Sequence, residues 1–341
     1  MNRSIPPKNE ASSHRPYQVD ASRIWLLTAI SLLLCFAGAG CSREEATPLR
    51  VGTIVWPGYE PLYVARHLGY LDEKQVRLAE YTSTSEILRA FRNGAIDAGC
   101  LTLDESLRLA QEVPDLRLVL VMDISHGADV IMAKPEIASV KDLKGRRVGA
   151  ETTALGAYVL LRALQISGLT REDVEIVPLD GSEHEAAFKQ GSIDAVVTFD
   201  PARAKLRAFG ARQIFDSTQI PGELVDVLAV RGAYVQAHPE TVQHLLRAYY
   251  RERGYSNENP KEAARISAIR EKTTPEEFLT SLESLRLPDA KESRQMLMGS
   301  PPALLKNAQA LAAVMREQGL LSKDVNAQTL FDEQALKRVF P

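Results

Sequence analysis

Apolar and polar residues alternate in two different rhythms from Leu49 onward. Short apolar runs such as LRVGTIVW and LRLVLVMDIS have the length and composition of β-strands. Between them lie segments such as EILRAFRN, in which Ile87, Leu88 and Phe91 fall on one side of a helix. Strands that alternate with helices indicate βαβ units, so we predict an α/β protein whose mostly parallel sheets are flanked by helices.

The same pattern restarts in the second half of the chain. RRVGA predicts a strand, and ALGAYVLLRALQISG predicts a helix that ends at Gly168. A local repeat links the two halves, because AFRNGAIDA begins at Ala90 and AFKQGSIDA begins at Ala187. Each stretch combines a helix end, a glycine stop and a strand start in the same structural position. The repeat therefore favours two related lobes over a chance match of common helix-to-strand punctuation.

The C-terminal part is predicted to be helical and to pack against the first lobe. Two amphipathic stripes carry this prediction. They consist of Val242, Leu245, Leu246 and Tyr249 in the first helix, and of Leu304, Ala308, Leu311 and Met315 in the second.

The N-terminus has the features of an export signal. The uncharged run IWLLTAISLLLCFA, from Ile24 to Ala37, is too short for a membrane span and suits a signal-peptide core. The small residues of GAGC then lead to Cys41, as in a bacterial lipobox, although Gly38 stands where Leu is usual. We therefore expect a signal peptide over residues 1–41 and lipidation of Cys41; a plain secretory signal or an uncleaved anchor is the alternative.

Charge and cysteine content narrow the function further. The net charge of −3 and the pI of about 6.1 provide no basic field for a nucleic-acid backbone, so we expect no nucleic-acid partner. Cys35 lies in the signal core and Cys41 in the lipobox, which leaves only Cys100 in the body of the protein. We therefore expect no disulfide, metal site or cofactor, and a buried, inert Cys100 thiol.

Two α/β lobes also predict where a ligand binds. In open parallel sheets, ligands lie beyond the carboxyl ends of the strands, where helix N-termini present free N–H groups. Two such edges that face each other form a cleft, which closes by a hinge motion.

The quoted strands and helices resemble those of a known family. VGTIVWPGYEPLYVARHLGYLDEKQVRLAEYTSTSEILRAFRNGAIDAGCLT is similar to the start of periplasmic solute-binding proteins of the nitrate/sulfonate/taurine, thiamine-pyrimidine-precursor-like family. DLKGRRVGA and GSIDAVVTFDPA resemble its second lobe. The resemblance implies a two-lobed type II periplasmic-binding fold, with residues 49–132 and 230–341 in lobe 1 and residues 133–229 in lobe 2. It also implies a monomer, anchored in the cell envelope through its lipid, that delivers a small solute to an ABC permease.

The resemblance and the residues together define candidate ligand contacts. Aromatic rings in the first loop would stack on a flat ligand or cover a cation, hydroxyls at helix starts would bind an anion, and carboxylates would favour an amine. Packing of the rings, helix capping and ion pairing with Arg146 or Arg147 are the structural alternatives. The candidates are Trp56, Tyr59, Ser83, Thr84, Thr102, Asp123, Ser125, Thr152, Thr153 and Asp200.

Two other functions remain open from the sequence. The fold also occurs in lyase-like enzymes of an alternative menaquinone pathway, where Asp123 would handle protons; the export signal argues against this, since that chemistry is cytoplasmic. A sensory lipoprotein could keep the fold and signal to a membrane partner. A permease and an ATPase encoded beside the gene favour import, whereas a neighbouring histidine kinase favours sensing.

Overall fold

The computed structural model describes Met1, residues 47–152 and residues 155–339. The predicted export signal and Cys41 lie outside these residues. The strands are β1 (Leu49–Thr53), β2 (Val76–Glu80), β3 (Ala98–Thr102), β4 (Leu116–Ser125), β5 (Val130–Ala133), β6 (Arg147–Ala150), β7 (Glu175–Pro178), β8 (Ala195–Thr198), β9 (Arg212–Asp216), β10 (Val225–Arg231) and β11 (Leu285–Arg286).

The helices follow the apolar stripes of the sequence, and most end where a glycine or a polar turn interrupts the stripe. They are α1 (Glu60–His67), α2 (Thr84–Arg92), α3 (Leu103–Ala110), α4 (Leu155–Ile166), α5 (His184–Lys189), α6 (Ala202–Ala208), α7 (Gly232–Ala237), α8 (Pro239–Glu258), α9 (Pro260–Glu271), α10 (Pro275–Leu282), α11 (Ala290–Met298), α12 (Ala303–Glu317) and α13 (Glu333–Val339).

The strands form two sheets with the same internal order. The first sheet runs β11-β4-β10-β3-β1-β2, and the second runs β7-β6-β8-β5-β9. The chain leaves the first sheet after Ser125 and returns with Val225. The lobe limits predicted at residues 132/133 and 229/230 therefore fall inside β5 and β10, which are the strands that follow the two crossings.

Most strands of each sheet point the same way, as predicted, but the sheets are mixed because β10, β11 and β5 run in the opposite direction. β1 pairs in parallel with β2 and β3, and β6 pairs in parallel with β7 and β8. β10 and β5 run antiparallel to both of their neighbours. Each crossing thus delivers a reversed strand into the middle of a sheet, and the sequence pattern of a buried strand does not encode its direction.

The internal repeat of the sequence corresponds to a repeated ion pair. Arg50 on β1 donates to both carboxylate oxygens of Asp97, at 2.7 and 2.8 Å, and to the carbonyl of Gly94 at 2.9 Å. Arg147 on β6 makes the same three contacts with Asp194 and the carbonyl of Gly191. In each half, the clamp fixes the glycine turn of the repeated motif to the neighbouring strand.

The C-terminal helices return to the first sheet, as predicted. α8 packs against α1, α11 against β4 and α12 against α3. The predicted stripe residues Leu245, Tyr249, Ala308 and Met315 are all fully buried. Among the helices of the described chain, none combines the length and apolar character needed to span a membrane.

The repeated clamp predicts a matched pair of stability losses. Asp97→Asn and Asp194→Asn each remove a charge-assisted, bidentate contact and should lower the free energy of unfolding by about 1–3 kcal/mol. Glu73→Gln is the control, because the Glu73–Arg66 pair is exposed and should contribute less than about 1 kcal/mol. Urea unfolding measures all three variants. If Asp97→Asn and Asp194→Asn lower the free energy of unfolding no more than the control does, the clamp does not stabilise the fold.

Candidate functional site

A cavity of about 40 Å³ lies between the two sheets. The carboxyl ends of β1, β3, β6 and β8 converge on it, together with the first residues of the reversed strands, as expected for a ligand site in this kind of fold. Residues distant in sequence therefore meet in one place. The lining residues are Ile54, Trp56, Tyr59, Thr84, Thr102, Glu105, Asp129, Glu151, Leu155, Gly156, His184, Val197, Thr198, Phe199 and Asp226.

Four predicted ligand contacts line this cavity: Trp56, Tyr59, Thr84 and Thr102. The two aromatic residues are almost fully buried and approach each other edge-on, with ring centroids 6.5 Å apart. Trp56 also meets Phe199, which directly follows β8, at a centroid distance of 5.3 Å and nearly perpendicular. The rings thus join the two halves of the cleft across its apolar side.

Two buried aspartates hold these rings from behind. Trp56 donates its indole N–H to Asp123 at 3.0 Å, and the Tyr59 hydroxyl donates to Asp226. The two aspartates are direct cross-strand neighbours on β4 and β10. Gly58 makes the arrangement possible, because a Cβ atom at this position would lie 1.8 Å from the Asp123 carboxylate. Asp123 therefore positions the Trp56 ring through a hydrogen bond and does not itself line the cavity.

Burial shifts several of these carboxyl groups toward the protonated form. Burial raises the pKa of Asp123 to about 7 and that of Asp129 to about 6. Burial, followed by the neighbouring Asp123 charge, raises the pKa of Asp226 well above its ordinary value. Removal of these groups from water thus dominates the electrostatics of the site.

Two glutamates connect the halves of the molecule across the cavity. Glu151, directly after β6, accepts the backbone N–H of Ser85 in the first turn of α2 at 2.7 Å. Glu105 in α3 accepts the backbone N–H of Leu155, the first residue of α4, at 3.0 Å. The other Glu105 oxygen accepts the N–H of Thr102. Each half therefore places a carboxylate on a helix N-terminus of the other half.

The remaining predicted contacts lie outside the cavity lining. Ser83 caps α2 by accepting the N–H of Glu86 at 3.3 Å. Ser125 is bonded to Ser217 at 2.7 Å, where the two chain crossings meet. The Thr152 carbonyl accepts from Arg108.

Asp200 and the arginines also have structural partners. Asp200 pairs with Arg203 and accepts the N–H of Ala204, so it contributes to the start of α6. Arg147 forms its ion pair with Asp194 and not with Asp123. Cys100 is buried, as expected, and burial raises the pKa of its thiol. Thr153 lies outside the described residues.

Several polar residues of the cavity are absent from the sequence-based candidates, among them Glu105, Glu151, His184 and Asp226. Glu105 completes a capping box with Thr102, a local pattern that is visible in TLDE. Asp226 interrupts an otherwise apolar strand, which is also a detectable sign of a special environment. No local sequence pattern marks Glu151 or His184 as a cavity residue. They line the cavity only because the two halves of the protein pack against each other.

Comparison with known proteins identifies the family. The profile of the NMT1-like family matches residues 42–270, and the chain therefore belongs to this family. A protein of Escherichia coli (strain K12) named as an aliphatic sulfonates-binding protein is 32% identical over 174 residues, which are 48% of this chain and 54% of the relative. The chain thus spans about half the length of the curated relatives that it matches.

Solved structures confirm the predicted fold. The alkanesulfonate-binding protein SsuA from Xanthomonas axonopodis pv. citri, bound to MOPS, aligns with a TM-score of 0.69 and 22% identity, over 85% of this chain and 98% of that protein. The periplasmic nitrate-binding protein NrtA from Synechocystis PCC 6803 aligns with a TM-score of 0.68 and 13% identity, over 86% and 88%. The two sheets with flanking helices therefore have the fold of the SsuA and NrtA binding proteins.

The buried aspartates predict a pH-dependent stability difference. A carboxyl group whose pKa is raised by folding contributes stability below its unfolded pKa and loses it as the pH rises through the folded value. Asp123→Asn removes such a group, whose folded pKa is about 7. The variant should therefore gain about 2–3 kcal/mol relative to the wild type between pH 5 and pH 8.

Urea unfolding at several pH values measures this difference. Glu262→Gln is the control, since that exposed carboxylate stays ionised above pH 5 and its offset from the wild type should be constant. A constant offset for Asp123→Asn as well would mean that Asp123 is ionised throughout this range in the folded protein.

Proposed function

We propose that this chain is an extracytoplasmic, lipid-anchored solute-binding protein. It captures a small anionic or zwitterionic organic solute by closing its two lobes and delivers the solute to an ABC importer, without catalysing a reaction. The single observation that carries the proposal is the cavity between the sheets, where side chains of both halves surround one small volume. A ligand held there stabilises the closed arrangement, because it contacts both halves at once.

The two chain crossings support a hinge motion. They lie side by side: Gly127 of the first donates to the Ser217 hydroxyl at 2.6 Å, and Ser217 in turn donates its N–H to the Asp129 carbonyl. Two adjacent crossings permit rotation of one sheet against the other with few backbone changes. The first crossing carries Asp129 of the cavity, so closure and ligand contact are mechanically linked.

Family membership and the named relatives support the class of ligand. Relatives that bind sulfonates or nitrate make a small polar solute the natural choice, and hydroxyl-bearing Thr84 and Thr102 line the cavity. Delivery to a permease, residence in the periplasm and a monomeric state are parts of the same proposal. A sensory lipoprotein on this fold would use the same closure but pass it to a different membrane partner.

Tryptophan fluorescence tests solute capture directly. The chain contains two tryptophans, Trp25 and Trp56, so a Trp25→Phe background leaves only the cavity residue as a reporter. We expect at least one member of a panel of taurine, ethanesulfonate, nitrate and 4-aminopyrimidine to change its emission and raise the melting temperature. Free ligand at a hundred times Kd adds about 2.7 kcal/mol of stability. An unchanged emission and melting temperature with every member would contradict solute capture.

The cavity location is tested by two matched phenylalanines. Phe199 lines the cavity beside Trp56, whereas Phe209 is 56% exposed on the second lobe. Phe199→Ala should weaken binding of the best panel member about tenfold, because an aromatic contact to the site is lost. Phe209→Ala should bind as the wild type does. Equal affinities of the two variants would place the ligand elsewhere.

Cell fractionation tests the lipid anchor. Cys41→Ser removes the thiol that would carry the lipid and should move the protein from the membrane fraction to the soluble periplasmic fraction. Cys35→Ser lies in the apolar run before it and should leave the protein in the membrane fraction. Membrane association of both variants would refute lipidation at Cys41.

A further inference from the structure

The two helix N-termini that face the cavity are already occupied by the protein's own carboxylates. An N-terminus offers free N–H groups and a partial positive charge, which makes it the natural site for an anion. The start of α2 is bonded to Glu151 and the start of α4 to Glu105, each from the opposite half. A free anion would have to displace carboxylates that are tethered beside these N–H groups at high effective concentration.

Carboxyl groups make up most of the ionisable lining of the cavity, and burial raises the pKa of Glu105 to about 8 and that of Asp226 well above its ordinary value. Four carboxyl groups line the cavity, from Glu105, Asp129, Glu151 and Asp226, and no lysine or arginine is among its described lining residues. Burial lowers the pKa of His184, the remaining ionisable base of the lining, to about 4, so the ring is neutral at physiological pH.

Guanidinium groups close to lining residues are engaged elsewhere. Arg203, whose positive charge lowers the pKa of Asp129, donates to Asp200 and to the Gly127 carbonyl. Arg108, beside Glu105, donates to the Thr152 carbonyl. Neither group is directed at the cavity by its hydrogen bonds, so neither is available to bind a solute that carries only negative charge.

Two polar atoms of the lining lack hydrogen-bond partners. Asp129 is 3% exposed and its Oδ2 atom accepts no hydrogen bond; His184 is 2% exposed and its Nε2 atom is likewise unpaired. Buried polar groups nearly always have a partner, so unpaired ones at a cavity mark the positions where a ligand completes the bonding. Within residues 47–152 and 155–339, no three acidic, histidine or cysteine side chains are placed to hold a metal ion, which favours an organic donor.

We propose that the solute carries a cationic or N–H-rich nitrogen group, such as a primary ammonium or an aminated heterocycle, which donates to Asp129 beside His184. The inference rests on the proposed function and defines its ligand class: solutes that bear only a negative charge bind weakly, because Glu105 and Glu151 hold the helix N-termini. A cavity of about 40 Å³ has room for roughly three water-sized groups, which suits such a head group.

Matched probes test this inference on the full chain in the Trp25→Phe background. Taurine and ethanesulfonate share a sulfonate and differ in the ammonium group; 4-aminopyrimidine and pyrimidine differ in the amino group. In at least one pair, the aminated member should bind ten times more tightly or better, by fluorescence titration and by calorimetry. This comparison needs no variant, so it does not depend on the folding of a mutant.

Two buried acidic residues separate the effect of ligand contact from the effect of burial. Asp129→Asn should weaken binding of the preferred aminated probe at least tenfold. Glu252→Gln is the control, because Glu252 is also buried with an unpaired Oε2 atom but does not line the cavity. The control should bind within twofold of the wild type, and melting curves verify that both variants fold.

A gain in sulfonate affinity tests whether Glu105 and Glu151 exclude anions from the helix N-termini. The double change Glu105→Gln and Glu151→Gln keeps the side-chain shape, leaves a neutral amide at both helix N-termini whatever the protonation state of the native carboxyl groups, and should raise the affinity for ethanesulfonate at least tenfold. Glu252→Gln, a buried glutamate outside the cavity lining, should leave this affinity unchanged.

The outcomes separate the ligand class from the transport role. Tight binding of ethanesulfonate or pyrimidine, equal to that of the aminated partners and insensitive to Asp129→Asn, overturns the ligand class and leaves solute capture intact. If no probe of either pair binds and the protein retains no small molecule from a cell extract, as judged by mass spectrometry, both proposals are wrong.

Discussion

The cost of burying carboxyl groups between two sheets governs the design of the cleft. A carboxylate removed from water is strongly destabilised unless donors surround it or a proton neutralises it. Here Asp123 lies behind the indole of Trp56, Asp226 behind the phenol of Tyr59, and both stand at the edge where the strands end. The aromatic wall of the cavity is therefore positioned by hydrogen bonds to groups that would otherwise be intolerable in the core.

The same constraint connects the two halves. Glu105 and Glu151 are buried only because the opposite half supplies a helix N-terminus to each of them. Separation of the two halves would expose both carboxyl groups to water and free the N–H groups of Ser85 and Leu155. Polar contacts of this kind exchange readily with water, whereas a large apolar interface resists separation.

Internal duplication supplies the frame on which this cleft is built. The Arg50–Asp97 and Arg147–Asp194 clamps occupy equivalent places in sheets of the same strand order. The duplicated frame places strand ends of both halves on opposite sides of one gap. The two halves then differ in what they present there: the first contributes the aromatic wall and the second His184, Thr198 and Phe199.

The sequence by itself determined the α/β class, the two related halves, the positions of most helices and strands, and Trp56, Tyr59, Thr84 and Thr102 as cavity residues. These features are local: periodicity, glycine stops and loop position after a strand are written into neighbouring residues. Local patterns carry no information on strand direction, so the reversed strands β5 and β10 made the sheets mixed. Only the tertiary structure brought Glu151 and His184 to the cavity and set Asp123 behind it, because the distances between the two halves depend on packing across the cleft.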